Sequence, residues 1–162
     1  VPFMARWPGR IPAGTRFDAP VSHLDLFTTA AAAAGAALPT DRQIDGVDFV
    51  PFVRGEADGA LHEALFWKDG DYQAVLKDGW KLQVSGPQNK VWLFNLNVDP
   101  TEQVELSARE PEKLAELKAS LAAHVAEQAP PAWPSAAAFP VYVDKTLADD
   151  LNVDDEFVYW HN

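Results

Sequence analysis

The first residues of the chain form a short apolar run over residues 1–7, which favours a strand buried on both faces. Pro8 and Gly9 follow, and they suit the two central positions of a type II turn, where proline fixes φ and glycine accepts a positive φ. A strand of this kind needs hydrogen-bonding neighbours, and the pattern further along predicts no second strand like it. We therefore expect its sheet to be completed by another polypeptide or by a longer form of this chain.

Two helical segments are predicted next. Residues 22–34 combine a start that resembles a capping box, Ser22 with Asp25 three residues later, with an alanine-rich run that ends at a glycine. The many alanines allow close approach to a flat neighbour, so we expect this helix to cover a sheet. A helix of one or two turns is expected after Asp48, a good N-cap residue, and before Gly55.

From Leu65 the hydrophobic pattern alternates, which predicts strands. With residues 77–79 as a three-residue loop, a hairpin places its apolar side chains on one face and directs Gln73, Lys81 and Gln83 outward. The apolar layer, extended by a third strand, comprises Tyr72, Ala74, Leu76, Trp80, Leu82, Val84, Trp92, Phe94 and Leu96. The pattern predicts an antiparallel sheet of three or four strands.

A narrow apolar stripe then predicts a long helix over residues 111–128, which should lie on this sheet. The remainder is rich in proline and aromatic residues and predicts an irregular wrapping segment, with EFVYW as a last strand. The predicted fold class is α/β, in an α+β arrangement. Its predicted regions are residues 1–60, the end of a larger α/β domain; 61–128, the small sheet with its helix; and 129–162, a wrapping tail.

Composition and charge narrow the classes of function. The chain has 162 residues, of which 48% are hydrophobic, enough for a sizeable core. Its net charge of −11, from 24 acidic and 13 basic residues, argues against a nucleic-acid partner, which needs clustered Lys and Arg. No apolar run is long enough to predict a membrane span, so no membrane partner is expected. The absence of Cys excludes disulfides, thiol nucleophiles and Cys-ligated zinc, and it leaves the compartment open.

Six motifs occur in the order and at the spacings of the carboxy-terminal part of arylsulfatases, and the chain resembles that family up to about residue 128. They are VPFMARWPGRIPAG, VSHLDLFTT, IDGVDFVPFVRGE, LFW, GWKL and LFNLNVDPTEQVEL. The resemblance implies a sulfatase of the alkaline-phosphatase superfamily, in which a large α/β domain carries the active site and a smaller antiparallel domain follows. Residues 1–60 would then end the alkaline-phosphatase-like domain, and the missing amino-terminal sulfatase domain would be the partner of this chain.

The resemblance also implies the cofactors of the complete enzyme. In that family a Cys or Ser within Cys/Ser-x-Pro-x-Arg becomes formylglycine, and calcium held by Asp and Asn side chains orients the sulfate. The nearest match here, SGPQN, has Asn89 in place of the arginine. We therefore expect neither formylglycine nor calcium, and no catalytic or metal-binding residue, in this chain, which should be inactive alone.

Substrate-binding candidates follow from the same resemblance, because the far end of the LFW strand faces the substrate cleft in that family. His62, Lys68 and Asp71 are candidates near this strand, with Asp69 beside them, and Tyr159 is a candidate in the tail because its ring can stack on a sugar or aryl group. The alternative is that KDGDY is a polar turn and that Tyr159 packs on the core.

Other candidates have plainer interpretations. His23 lies close to Asp25 and could act as a general acid, or it could be an ordinary residue of the first helical turn. His124, beside the apolar stripe, is expected to pack at its boundary. The acidic residues of segment 149–156 invite a calcium loop, but their spacing does not match an EF-hand, which favours a solvated charged segment.

Three functions remain open. The first is hydrolysis of sulfate esters, of a small molecule or a sugar, by the complete protein. The second keeps the superfamily and changes the ester to a phosphonate monoester or a phosphodiester. The third is a stand-alone carbohydrate-binding module without chemistry, using the tail aromatics Trp133, Phe139, Tyr142, Tyr159 and Trp160.

Overall fold

The computed structural model describes residues 2–86, 88–133, 137–146 and 148–161. The helices are α1 (Asp25–Ala34), α2 (Val50–Val53) and α3 (Pro111–Glu127). The strands are β1 (Leu65–Asp69), β2 (Tyr72–Lys77), β3 (Trp80–Ser85), β4 (Lys90–Asn95), β5 (Ala138–Tyr142) and β6 (Phe157–His161). The chain divides into two compact units, an amino-terminal unit, Val1–Glu63, and a carboxy-terminal unit, Ala64–Asn162.

The amino-terminal unit contains the two predicted helices. Helix α1 begins three residues later than predicted and ends at Gly35, whose φ of 66° suits glycine. At α2 the N-cap residue is Phe49, so the predicted cap at Asp48 is wrong by one residue, although the Asp48 side chain accepts a hydrogen bond from the Val50 N–H at 3.0 Å. The turn at Pro8 and Gly9 is also confirmed, since the Arg10 N–H donates to the Trp7 carbonyl at 3.0 Å and Gly9 has φ 79°.

The strand predicted over residues 1–7 is wrong for the part of it that the structure describes. None of residues 2–7 lies in a strand, and Phe3 and Met4 are 51% and 91% exposed. The apolar run has strand character, but a strand forms only where a neighbour accepts its backbone hydrogen bonds, and no described residue pairs with this segment. Val1 lies outside the described residues.

The carboxy-terminal unit is built on a four-stranded antiparallel sheet in the order β1-β2-β3-β4. The loop between β2 and β3 has two residues, because Lys77 pairs with Trp80, and the predicted three-residue loop is wrong. Asp78 and Gly79 have φ 52° and 77°, as in a type I′ turn. Aspartate tolerates the left-handed region, so Asp-Gly satisfies this turn without a third residue.

The shorter loop moves the register of the hairpin by one residue, and the predicted single apolar layer divides between two faces. On one face, Val75, Leu82 and Leu93 form a row that packs with Leu117 and Leu121 of α3, and all five are buried. Helix α3 therefore lies on the sheet as predicted. The opposite face, called here the open face, carries Tyr72, Ala74, Leu76, Lys81, Gln83, Trp92 and Phe94.

The tail forms a second, two-stranded sheet from β5 and β6, in which Pro140 is opposite Tyr159. The strand predicted at EFVYW is confirmed, whereas β5 was not predicted because Pro140 interrupts its apolar pattern. A proline fits a two-stranded sheet, where each strand has one edge that needs no N–H donor. Within the described residues, no helix has the length and apolar character needed to cross a bilayer.

Candidate functional site

The candidate site is a cleft of about 630 Å³ on the open face of the sheet, called here the sheet cleft. Its lining is Trp67, Lys68, Asp69, Tyr72, Ala74, Leu76, Lys81 and Leu96. Alternation along β1 and β2 directs Trp67 and Ala74, which are cross-strand partners, to this face. Ala74 is buried and has a small side chain, whereas the Trp67 side chain is 47% exposed. A concave, mostly apolar surface with a few polar groups is typical of a small-molecule site.

Two lysines, Lys68 and Lys81, line the sheet cleft together with one acidic residue, Asp69. Lys81 Nζ donates to Glu102 Oε1 at 2.6 Å, so its position is fixed. Lys68 is exposed and has no acidic partner within 4.0 Å among the described residues. The two lysine charges are balanced by Asp69 in the lining and by Glu102 on Lys81, so this cleft is locally neutral in a chain whose net charge is −11.

A hydrogen-bonded chain of side chains, called here the Glu102 network, extends from the wall of the cleft. The Tyr72 hydroxyl donates to Gln83 Oε1, and Gln83 Nε2 donates to Glu102 Oε2 at 2.6 Å. Burial and the negative charge of Glu102 raise the pKa of Tyr72 to about 12, because both disfavour the phenolate. Tyr72, Gln83 and Glu102 also line a second cleft, of about 380 Å³.

The predicted substrate-binding residues lie in different places. Lys68 lines the sheet cleft. Asp71 lies exposed in the turn after β1, where its carbonyl accepts the Gly86 N–H at 3.2 Å, and it does not line the cleft. Tyr159 is on β6 in edge-to-face contact with Phe157, at a centroid distance of 5.6 Å. His62 belongs to the amino-terminal unit.

His62 is hydrogen-bonded to a buried carboxylate. Its Nε2 lies 2.9 Å from Asp25 Oδ2, and the Asp25 side chain is fully buried. The same carboxylate accepts the N–H groups of Ser22 at 2.7 Å and Val47 at 2.9 Å. His23, which the sequence placed near Asp25, is exposed, so the histidine on this carboxylate is His62. The arrangement joins three segments of the amino-terminal unit.

The remaining candidates have structural contacts. The His124 ring stacks on Phe66 at a centroid distance of 3.9 Å, which confirms its packing role. In the acidic segment, Asp155 pairs with Lys145 at 2.7 Å, and this lysine holds the pKa of Asp155 below its ordinary value. Glu156 pairs with a lysine of β4 at 2.7 Å. Among the tail aromatics, Trp133 is 80% exposed, and the Trp160 side chain lies outside the described part of the chain.

The described residues do not fit a calcium centre, and the sequence lacks the Cys/Ser-x-Pro-x-Arg motif in which formylglycine forms. No group of three or more His, Asp or Glu side chains in the described ranges could hold a metal ion. The sequence has no Cys, and Ser85, the only serine of the SGPQN segment, is buried on β3 with its hydroxyl on Gln88 at 3.2 Å. Pro87 of that segment lies outside the described residues.

Sequence reasoning missed Trp67, Lys81 and Glu102. The hairpin register conceals Lys81, because a three-residue loop does not bring it to Tyr72 and Ala74, whereas the Asp-Gly pair at residues 78–79 is a signal that gives the correct register. Glu102 contacts the site only through Lys81 and Gln83, which are distant from it in sequence, and no local sequence pattern predicts these contacts.

The chain is similar to known sulfatases, although no family model matches it. It is 40% identical over 100 residues to steryl-sulfatase of Rattus norvegicus, across 62% of this chain and 17% of that protein. It is 35% identical over 133 residues to arylsulfatase G of Rattus norvegicus, across 69% of this chain and 25% of that protein. The chain thus spans a quarter or less of the length of these relatives.

Solved structures have the same fold. The crystal structure of Ps i-CgsB matches with a TM-score of 0.67 and 28% identity, over 78% of this chain and 29% of that one. A putative sulfatase from Bacteroides thetaiotaomicron matches with a TM-score of 0.54 and 24% identity, over 63% of this chain and 24% of that one. The predicted mixed α/β fold with an antiparallel sheet is confirmed. The chain is a homologue of the sulfatases and corresponds to their carboxy-terminal portion, as its six motifs predict.

Proposed function

We propose that this chain is part of an enzyme that hydrolyses sulfate esters. The observation that carries the proposal is its similarity to two named sulfatases, at 40% and 35% identity. The sheet cleft supports it, because an apolar wall with the polar groups of Lys68, Asp69 and Lys81 at its side suits the organic part of an ester. In this proposal the chain contributes the wall that holds the organic part of the substrate.

The catalytic groups are expected elsewhere in the protein. The family resemblance implies formylglycine and calcium, and the part of the chain that the structure describes fits neither. What the chain supplies is binding. Lys68 and Lys81 offer N–H donors to the substrate, and Trp67 covers an apolar ring. Substrate binding remains a prediction for His62, Asp71 and Tyr159. His62 also has a clear structural role, because it is hydrogen-bonded to Asp25.

Helix α1 supports a partner domain. Its buried residues are the polar Asp25, Thr28 and Thr29, whereas Leu26 and Phe27 are 48% and 55% exposed. This is the reverse of the usual arrangement for a helix on the surface of a globular domain. We infer that the amino-terminal sulfatase domain covers this face and that residues 1–60 complete it. The exposed segment 2–7 does not argue for this domain by itself, because the buried strand predicted there is not formed.

The experiment compares the full-length protein with the 162-residue chain alone. Both are assayed with 4-nitrophenyl sulfate, 4-nitrophenyl phenylphosphonate and bis(4-nitrophenyl) phosphate. We expect turnover of the sulfate by the full-length protein only, and at least tenfold lower kcat/KM for Lys68→Ala than for Lys118→Ala, an exposed lysine of α3. Faster turnover of the phosphonate or the phosphodiester would favour the second function, and activity of the chain alone would contradict the division of roles.

A carbohydrate-binding module without chemistry is a second candidate. One specific observation favours it: Ps i-CgsB has also been solved in complex with k-i-k-neocarrahexaose, and this chain matches that structure with 28% identity and a TM-score of 0.65. Absence of turnover by the full-length protein on all three esters, with retained oligosaccharide binding, would select this function.

A further inference from the structure

We propose that the amino-terminal unit has a binding site of its own, which takes a small organic phosphate monoester. The site is a cleft of about 800 Å³, called here the arginine cleft. Its lining is residues 5–15 together with Arg54 and Glu56, all within the amino-terminal unit. The arginine cleft shares no residue with the sheet cleft, so the proposal goes beyond the proposed function and does not depend on it.

A tight turn brings two arginines of the lining together. The turn over residues 7–10 is closed by the hydrogen bond from the Arg10 N–H to the Trp7 carbonyl at 3.0 Å, and a second turn over residues 12–15 follows it. A β-turn brings its first and fourth Cα atoms to within about 7 Å of each other. Arg6 comes directly before this turn and Arg10 ends it, so both side chains can reach one ligand.

The charged residues of the lining do not cancel. They are Arg6, Arg10, Arg54 and Glu56. Arg54 Nη2 pairs with Glu56 Oε1 at 2.6 Å, so the charges of these two residues balance. Within the described chain, Arg6 and Arg10 have no acidic partner within 4.0 Å. Three arginines and one glutamate leave the lining with a net charge of +2, in a chain whose net charge is −11.

The contact of Arg10 with an aromatic ring leaves its donors free. Its Cζ atom lies 5.9 Å from the centroid of the Trp7 ring, within the range of a cation–π interaction. A guanidinium group uses its face in such a contact, whereas its N–H groups lie in its plane. The half-buried Trp7 ring therefore restricts the position of Arg10 without occupying the N–H groups that an anion needs.

The two unpaired guanidinium groups indicate a ligand with two negative charges. A phosphate monoester carries about two negative charges at neutral pH and has three acceptor oxygens, enough for bidentate contacts with both arginines. A carboxylate or a sulfonate carries one charge, which a single guanidinium neutralises. The apolar side chains of Pro8, Ile11 and Pro12 line the same cleft and suit the organic group of an ester.

The surrounding charge favours a small ligand over a polyanion. A nucleic acid or another long polyanion needs an extended basic surface. Here the two unpaired arginines belong to a chain with 24 acidic and 13 basic residues. A volume of about 800 Å³ also falls within the range of small-molecule sites, about 300–1,000 Å³.

The test is calorimetric titration of the 162-residue chain and of the full-length protein, at low salt because salt screens exposed charges. The probes are phenyl phosphate, inorganic phosphate, which lacks the ring, and benzenesulfonate, which keeps the ring and carries one charge. We expect phenyl phosphate to bind at least tenfold more tightly than benzenesulfonate and at least threefold more tightly than inorganic phosphate. Equal affinity for any two of these probes, or no saturable binding of phenyl phosphate, would overturn the proposal.

Variants assign the binding to the arginine cleft. Arg6→Gln and Arg10→Gln should each weaken phenyl phosphate binding at least tenfold. The matched control is Arg16→Gln, because Arg16 is exposed, lies outside the lining and pairs with Asp18 at 2.7 Å; we expect a change within twofold. Since all three arginines are exposed, the fold should stay intact, which circular dichroism checks. Equal losses in the three variants would indicate general electrostatic attraction and would overturn the site.

The full-length protein needs one further comparison. The phenyl phosphate binding that Arg6→Gln removes there is the binding that belongs to this cleft. Binding by the 162-residue chain without such a component in the full-length protein would show that the cleft is covered there, and it would refute the proposal. Arg10→Lys keeps the charge and removes the planar group, so we expect at least threefold weaker binding. Unchanged binding would refute the bidentate contact.

The pH dependence tests the charge of the ligand. The second pKa of a phosphate monoester is about 6, so most of the ester loses one charge between about pH 7.5 and pH 5, and its affinity should fall about tenfold. Among the described residues of the lining, Glu56 is the only carboxylate. Benzenesulfonate keeps its charge over this range and therefore controls for titration of the protein. A phenyl phosphate affinity that does not change with pH would contradict binding of the dianion.

Discussion

Replacement of Asp25 by alanine tests the buried pair that joins three segments of the amino-terminal unit. The Asp25 carboxylate is fully buried and accepts hydrogen bonds from Ser22, Val47 and His62. Alanine leaves three donors without an acceptor, and each unsatisfied buried donor costs about 1–3 kcal/mol. Removal of one member of a buried pair generally costs about 3–5 kcal/mol, and we expect a loss of that size in the free energy of unfolding.

Native-state hydrogen exchange is the suitable assay, because it reports the amino-terminal unit by itself. The amides of Ser22 and Val47 should lose their protection from exchange in Asp25→Ala. The free energy of the opening reaction that exposes the amides of α1 should fall by about 3–5 kcal/mol. Asp41→Ala is the matched control: its carboxylate is 67% exposed and pairs with Arg42, so we expect a change within about 0.5 kcal/mol. Equal protection in the two variants would refute the reasoning.

Three other perturbations have defined outcomes. In Gly46→Ala the new Cβ overlaps the Leu24 carbonyl, which should lower stability in urea unfolding by about 3 kcal/mol, whereas Gly86→Ala makes only ordinary contacts and should be nearly neutral. Leu93→Ala removes a fully buried side chain and should lower the free energy of unfolding by about 2–5 kcal/mol. A smaller loss would contradict the assignment of Leu93 to the core. Because the folded chain keeps the Tyr72 proton to a pKa of about 12, against 10.0 ordinarily, stability should fall as pH rises between these values, and Tyr72→Phe should lack this component.

The elements that sequence predicts correctly are those with local causes. Helix α3 follows from its apolar stripe, α2 from the short apolar run before Gly55, and the end of α1 from Gly35, all within a few residues of the feature they determine. The turn at Pro8 and Gly9 is equally local. Such features need no knowledge of distant partners, and the structure confirms them.

The wrong predictions concern elements whose formation depends on pairing with another segment. The apolar run over residues 1–7 is a strand only if a neighbour pairs with it, and the sequence cannot supply that neighbour. The hairpin prediction is wrong by one residue, although the Asp-Gly pair at residues 78–79 indicates the correct two-residue loop. With that loop, Leu82 lies opposite Val75, and Tyr72 and Ala74 lie on the other face of the sheet.

The candidate site was only partly predictable for the same reason. Lys68 follows from the family motifs, but Lys81 depends on register. Glu102 depends on contacts 19 and 21 residues apart in sequence, which no periodicity encodes.

The alternation of β2 has a consequence for redesign of the cleft. Ala74 forms part of the cleft, whereas its neighbour Val75 is completely enclosed against α3, so adjacent residues of one strand lie in separate environments. Substitutions at every second residue of β2 would therefore reshape the cleft while leaving the side chains packed on α3 unchanged.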